Sequence, residues 1–166
     1  VMSIGKNLVE AAVAEDLEAS WVPSYGPEMR GGTANCTVII SDERIGAPLV
    51  ENPTEVVAMN RAALAKFEKR VAPGGTVFVN SSIIPDKVAR EDVTAVYVPC
   101  DEIAAELGNA KVANMVMLGA YVAATGALKR ETIETMIREM FTGKKAKLVP
   151  LNLEALERGM ACGKPA

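Results

Sequence analysis

Apolar positions along this chain switch repeatedly between a helical and a strand-like spacing. Residues 3–14 put Ile4, Leu8, Val9 and Ala12 on one helical face, with Ser3 placed to cap it. Ala19 to Val22 reads as a short strand that runs into Pro23, and Cys36 to Ile40 as a strand rich in β-branched residues. Between them, residues 23–33 hold two prolines and three glycines and have no period, which predicts a loop. Asp42 to Gly46 is a turn ahead of Ala47-Pro48-Leu49-Val50, and Pro53 stops one element before the strand Val56 to Met59. Asn60 can cap a helix to about Val71, with Leu64, Phe67 and Val71 along one face. Pro73-Gly74-Gly75 ends it and launches a buried strand, Thr76 to Val79; after a loop over 80–92, Ala95 to Val98 is another. Asp101 to Leu107 reads as a short helix closed by Gly108. Residues 110–124 form a helix so apolar that both faces should be buried. Ile133, Met136, Ile137, Met140 and Phe141 give an amphipathic stripe, and a last helix from about Asn152 carries Leu153, Leu156 and Met160.

Strands that are short apolar runs and alternate with helices predict an α/β chain. The expected architecture is a three-layer α/β/α sandwich around a mostly parallel sheet, with a helical C-terminal third. At 166 residues, 49% hydrophobic and with a mean hydropathy of +0.16, the chain can bury a full core, and residues 1–166 read as a single domain. Disorder is excluded by that composition, and no run approaches the ~18 uncharged apolar residues of a membrane span. The net charge of −3 lacks the broad positive field that non-specific nucleic-acid binding needs.

Histidine is absent from the sequence. Ser-His-Asp and Cys-His catalysis, histidine metal sites and imidazole proton shuttling are therefore excluded for these residues. Cys36, Cys100 and Cys162 are widely spaced and odd in number, which points to a reducing compartment and buried thiols. An iron–sulfur cluster takes four thiolates, so any such centre must lie on another subunit. Val1 is not an initiator, and Glu10, Glu15 and Asp16 near the start are unlike a signal peptide. The expectation is a cytoplasmic chain that begins inside its fold.

The most unusual segment is Ser24-Tyr25-Gly26-Pro27-Glu28-Met29-Arg30-Gly31-Gly32. Gly31 and Gly32 permit positive φ and close approach of backbone to a ligand, and successive N–H groups there can cradle an anion. Arg30 adds a fixed cation whose fork suits phosphate or carboxylate. Tyr25 offers a flat ring and a hydroxyl, and in an extended loop Glu28 and Arg30 point the same way. The plain alternative is a surface turn in which Glu28 and Arg30 are solvated or pair with each other, worth only about 0–1 kcal/mol. Chemistry alone leaves both open.

Three stretches, SYGPEMRGGTANCTVIISDERIGAPLVENP, VAMNRAALAKFEKRVAPGGTVFVNSS and KVANMVMLGAYVAATG, together with the closing LVPLNLEALERG, resemble the gamma component of 2-oxoacid:ferredoxin oxidoreductases. These enzymes act on pyruvate, 2-oxoglutarate or 2-ketoisovalerate. The opening VMSIGK fits as well, because in that family it follows a GxGGQG turn; that turn is not in this sequence and receives no role here. The resemblance implies a division of labour. Thiamine diphosphate with its magnesium, and the Fe-S clusters, sit on partner subunits, electrons leave to ferredoxin, and the product is an acyl-CoA. This chain has neither a GDG…N diphosphate motif nor enough cysteines for a cluster, in keeping with that division. The gamma part would pack on alpha, beta and delta subunits and help bind or deliver coenzyme A. Carried over position by position, Ser24, Tyr25, Gly26, Pro27, Glu28, Arg30, Gly31 and Gly32 form the loop facing the cofactor, with Lys6 a second phosphate contact. No residue of this chain is expected to be catalytic or to hold a metal, and the isolated chain is expected to be inactive. It should expose an apolar patch meant for its partners and can self-associate through it as a homodimer.

Two other readings stand beside this one: a purely structural assembly module, and a free-standing nucleotide-binding α/β protein. Several residues carry blander expectations. Lys6 can be simply solvated. Asn114 in its apolar helix and Asn80 need hydrogen-bond partners if buried. Met115, Met117, Met136 and Met140 read as core filler, Cys36 and Cys100 as inert buried thiols. Cys162 can be exposed, with nothing near it to activate the thiol. Lys144, Lys145 and Lys147 follow a helix end and stay solvated there.

Overall fold

A computed structural model describes residues 2–24, 35–47 and 50–163 of the chain. Helix α1 (Met2–Ala14) is followed by a turn in which Asp16 takes a left-handed conformation at φ 60°. An aspartate tolerates that conformation because its short side chain can bond locally. Strands β1 (Glu18–Ser24) and β2 (Asn35–Ser41) pair antiparallel, with Trp21 opposite Val38 and Ser24 opposite Asn35. Strands β3 (Glu55–Ala58), β4 (Thr76–Asn80) and β5 (Thr94–Val98) form a parallel sheet in that spatial order.

The largely parallel expectation therefore holds for β3–β5, while β1 and β2 make an antiparallel pair of their own. The reason is chain length. Only residues 25–34 separate β1 from β2, fewer than the dozen or so that a parallel crossover requires. Between β3 and β4 the crossover contains helix α2 (Arg61–Phe67), capped by the Asn60 side chain, whose Oδ1 accepts from the Ala63 N–H at 2.8 Å. The helix stops short of Val71, giving way to a 3-10 turn at Glu68–Arg70.

Residues 81–93 cross from β4 to β5 without a helix. Polar contacts hold this strap in place. The Val88 N–H donates to the Tyr97 hydroxyl at 2.9 Å, and Arg90 Nη1 donates to the Val71 and Glu68 carbonyls at 2.5 and 3.1 Å. Arg90 also grips Asp92 at 2.6 Å, and its guanidinium holds that carboxyl below the usual range.

Alternation along β4 divides the interior into two layers. Val77 and Val79 pack with Val56, Ala58, Leu64 of α2, Val71 and Ile84. Phe78 faces the other way, with Val96 and Val98, into the larger core. That core is made by α1, α3 (Cys100–Glu106), α4 (Ala113–Thr125), α5 (Arg130–Met140) and α6 (Val149–Cys162). The α/β/α layering and the helical C-terminal part are thus as expected. Each fully buried Val, Leu or Phe contributes about 1.5–3 kcal/mol.

Helix α4 buries Met115 to Ala120 in full. It can do so because Gly119 and Gly159 let α4 and α6 meet backbone to backbone: a methyl on either would collide with a main-chain carbonyl of the other helix. Helix α6 begins at Val149, ahead of the expected Asn152, with Pro150 in its first turn, where the missing N–H has no helical partner anyway. Met140 is 38% exposed and so is not core filler, in contrast to Met115, Met117 and Met136.

Candidate functional site

Ser24 ends β1 and is exposed, directly opposite Asn35 at the start of β2. The paired stem of this hairpin is therefore defined up to the point where the glycine-rich segment leaves it. Tyr25, Gly26, Pro27, Glu28, Arg30, Gly31 and Gly32 lie outside the described residues. Of the residues singled out from the sequence, Ser24 and Lys6 can be placed.

Helix α1 lies against both strands of the hairpin, and its first turns decide how closely. On the face of the hairpin turned to α1, Trp21, Pro23, Cys36 and Val38 share one side of the pleat. Gly5 of α1 is buried against this face: a Cβ there would stand 2.6 Å from the Cys36 sulfur and 3.0 Å from Trp21 Nε1. Lys6 is exposed, and its Nζ lies 5.9 Å from the centre of the Trp21 ring, a cation–π distance. The structure thus brings Lys6 to the hairpin stem, onto the strand that ends at Ser24. Ser3 sits inside α1 and is no cap; its hydroxyl instead accepts from Asn114 Nδ2 at 3.0 Å, which supplies the partner that the amide of α4 requires.

Nothing at this stem is activated for covalent chemistry. Burial pushes the Cys36 thiol up. Cys36 is half-buried, more open than the sequence pattern implies, because its strand is covered by α1 without being enclosed. Cys100 is fully buried, and burial pushes its thiol up to about 12. Cys162 is half-buried and also raised by burial. Among the described residues no three Cys, Asp or Glu side chains are grouped to hold a metal ion. On the α1 face the stem offers the Lys6 cation over the Trp21 ring, while the alternation of β1 turns Ser24 to the other face.

A second place where α/β folds take ligands is the crevice at the carboxyl ends of parallel strands. Here it is filled by the chain itself. Asn80, fully buried at the end of β4, donates to Asp101 Oδ2 at 2.7 Å and accepts from the Ser82 N–H at 3.3 Å. The Ser82 hydroxyl in turn accepts from the Glu102 N–H at 3.1 Å. A shallow groove of about 400 Å³ beside α2 is lined by Arg61, Glu68, Asp86 and Lys87, but Arg61 and Asp86 pair with each other at 2.8 Å.

Sequence reasoning passed over Gly5, Trp21 and Cys36 as parts of one cluster. The available signal was the glycine itself, since an isolated glycine inside a helical pattern marks a close approach.

The family model for pyruvate ferredoxin/flavodoxin oxidoreductase matches residues 1–162. The chain belongs to this family. Within the family it is similar to ketoisovalerate oxidoreductase subunit VorA of Methanothermobacter marburgensis, 42% identical over 161 residues. That alignment covers 96% of this chain and 33% of VorA, so the chain spans about a third of that relative's length. Among solved structures it matches the gamma subunit of keto/oxoacid ferredoxin oxidoreductase from Geobacter sulfurreducens, with a TM-score of 0.83 and 27% identity, over 98% of this chain and 90% of that one. The fold also recurs in the 2-oxoglutarate:ferredoxin oxidoreductase of Magnetococcus marinus, determined with 2-oxoglutarate, coenzyme A and succinyl-CoA bound. There the TM-score is 0.86 at 24% identity, over 97% of this chain and 28% of that one. The family match spans both stretches that carry the resemblance, SYGPEMRGG and NMVMLGA, and the chain is a gamma-type member of the family.

Proposed function

We propose that this chain serves as the gamma part of a 2-oxoacid:ferredoxin oxidoreductase, holding the assembly together and contributing to the binding of coenzyme A. The observation that carries the reading is the family match along residues 1–162, which runs through both the glycine–arginine segment and the helix that bears Lys6. Its chemistry agrees. Coenzyme A brings phosphates, an adenine ring and a flexible thiol-bearing arm. Arg30, with the N–H groups of Gly31 and Gly32, supplies charge and donors for phosphate, and Lys6 beside the hairpin stem adds a second cation. Ser24 and Glu28 are hydrogen-bonding groups on the same segment, Tyr25 a flat ring, and Gly26 and Pro27 shape its turn.

The residues of this chain bind and orient; they donate no proton and attack no carbon. Thiamine diphosphate with its magnesium, on a partner subunit, supplies the electron sink for loss of carbon dioxide, and Fe-S clusters on other subunits carry the electrons to ferredoxin. The three cysteines of this chain are short of the four thiolates a cluster takes. Self-filling of the crevice at the carboxyl ends of β4 and β5 by Asn80, Ser82 and Asp101 favours this reading over a free-standing nucleotide-binding protein. Among the described residues no helix is long and apolar enough to cross a membrane.

The test uses the assembled oxidoreductase with Arg30→Ala in this chain. The expected result is an apparent KM for coenzyme A raised about tenfold, as for loss of one charge-assisted phosphate contact, with the KM for the 2-oxoacid unchanged. An unchanged coenzyme A KM at normal complex yield refutes the binding role. A fall in complex yield alone assigns the chain to assembly.

A further inference from the structure

Two locally unfavourable choices converge on one point of the hairpin stem. Glycine inside a helix costs about 1 kcal/mol relative to alanine, yet Gly5 stands at the end of the first turn of α1. A buried indole N–H ordinarily finds an acceptor, yet Trp21 Nε1 is buried with no hydrogen-bond partner. Both meet at the same contact. α1 approaches so closely that a Cβ at Gly5 would stand 2.6 Å from Cys36 Sγ, 3.0 Å from Trp21 Nε1 and 3.1 Å from Trp21 Cδ1. The close seat of α1 on the hairpin compensates for the glycine, and local rules broken together are expected at functional or strained sites. The next residue along α1 is Lys6, held over the same indole.

We propose that Gly5 is a positioning residue: by letting α1 seat on Trp21 and Cys36, it sets where the Lys6 ammonium stands relative to the end of β1. The inference rests on the coenzyme A reading above and extends it to a residue that touches no ligand. An added methyl at position 5 would stand 2.6 Å from the Cys36 sulfur and 3.0 Å from the indole nitrogen, closer than real contacts, so something at this seat must shift. On this proposal it is the first turn of α1 that lifts, and Lys6 moves with it.

The experiment compares Gly5→Ala, Gly5→Ala with Cys36→Ala, and Arg30→Ala in the assembled oxidoreductase. Coenzyme A KM and kcat are measured along with the rate at which iodoacetamide alkylates Cys36, read by peptide mass. For Gly5→Ala we expect faster alkylation of Cys36 and a coenzyme A KM raised about fivefold, the size of one exposed charge contact, with kcat unchanged. Removing the sulfur in the double variant relieves the closest collision and returns the KM toward wild type, a rescue that a loss of general stability would not give. If Gly5→Ala does not fold, Cys36→Val crowds the same point from the strand side and replaces it in the KM comparison. Unchanged alkylation, or faster alkylation with an unchanged KM, overturns the proposal. When Arg30→Ala raises the KM in that case, the coenzyme A reading survives and only the positioning role is lost. When Arg30→Ala is silent too, the coenzyme A reading falls and takes the positioning role with it.

Discussion

Replacing Gly159 by alanine should destabilise the chain, although helix propensity alone predicts the opposite. In an exposed helix interior the change would stabilise by about 1 kcal/mol. At Gly159 the new methyl would run into the Val116 backbone, its carbonyl oxygen first, and no side-chain rotation can clear a main-chain atom. α4 and α6 must separate until the methyl reaches ordinary contact, a shift of about 1 Å or more. A gap of that size forfeits a quarter to a half of the dispersion energy of each atom pair across it. The residues losing contact are Val116, Ala120, Ala155 and Leu156, all 1% exposed or less. Overpacking of this kind costs about 1–3 kcal/mol, and a main-chain collision belongs at the upper end, which leaves a net loss of about 2 kcal/mol after the propensity gain. With 2–4 °C per kcal/mol for a chain of this size, the melting temperature should fall by about 4–8 °C in thermal unfolding followed by circular dichroism. Gly46→Ala is the control, because nothing stands within 4 Å of a Cβ there and its effect should be negligible. A Gly159→Ala chain that melts at or above the wild-type temperature would refute the backbone-contact account of this helix pair.

Asn80→Ala should cost about 2–4 kcal/mol, since it strips a partner from Asp101 and from the Ser82 N–H in a fully buried position; urea unfolding at neutral pH measures it, and a loss under about 0.5 kcal/mol would contradict the network. Stability should also decline in alkali. Burial pushes Cys100 up to about 12 from 9.0 and Tyr121 up to about 12 from 10.0, so between about pH 9 and 12 the unfolded chain releases protons that the fold retains. The unfolded state then binds fewer protons, and stability falls as pH rises through that window. A urea midpoint flat from pH 8 to 11, about the range accessible to the measurement, would contradict it.

The sequence by itself determined most of the elements and their type, because each follows from a local period. The apolar stretch that became α4, the runs Val56 to Met59, Thr76 to Val79 and Ala95 to Val98, and the Asn60 cap are legible without any knowledge of neighbours. The family was legible too, since the stretches that carry the resemblance are strings of adjacent residues. Tertiary structure decided the rest. Which strands pair antiparallel depends on how many residues join them, and Ser3 became the partner of Asn114, more than a hundred positions away, instead of a cap. Arg90 reads as an ordinary loop arginine, yet the strap over residues 81–93 hangs on its bonds to the Glu68 and Val71 carbonyls. The seat of Gly5 on Trp21 and Cys36 is of the same kind. Periodicity reports which face of an element is buried, whereas the distance between two elements is set by side chains that lie far apart in the chain and meet only when it folds.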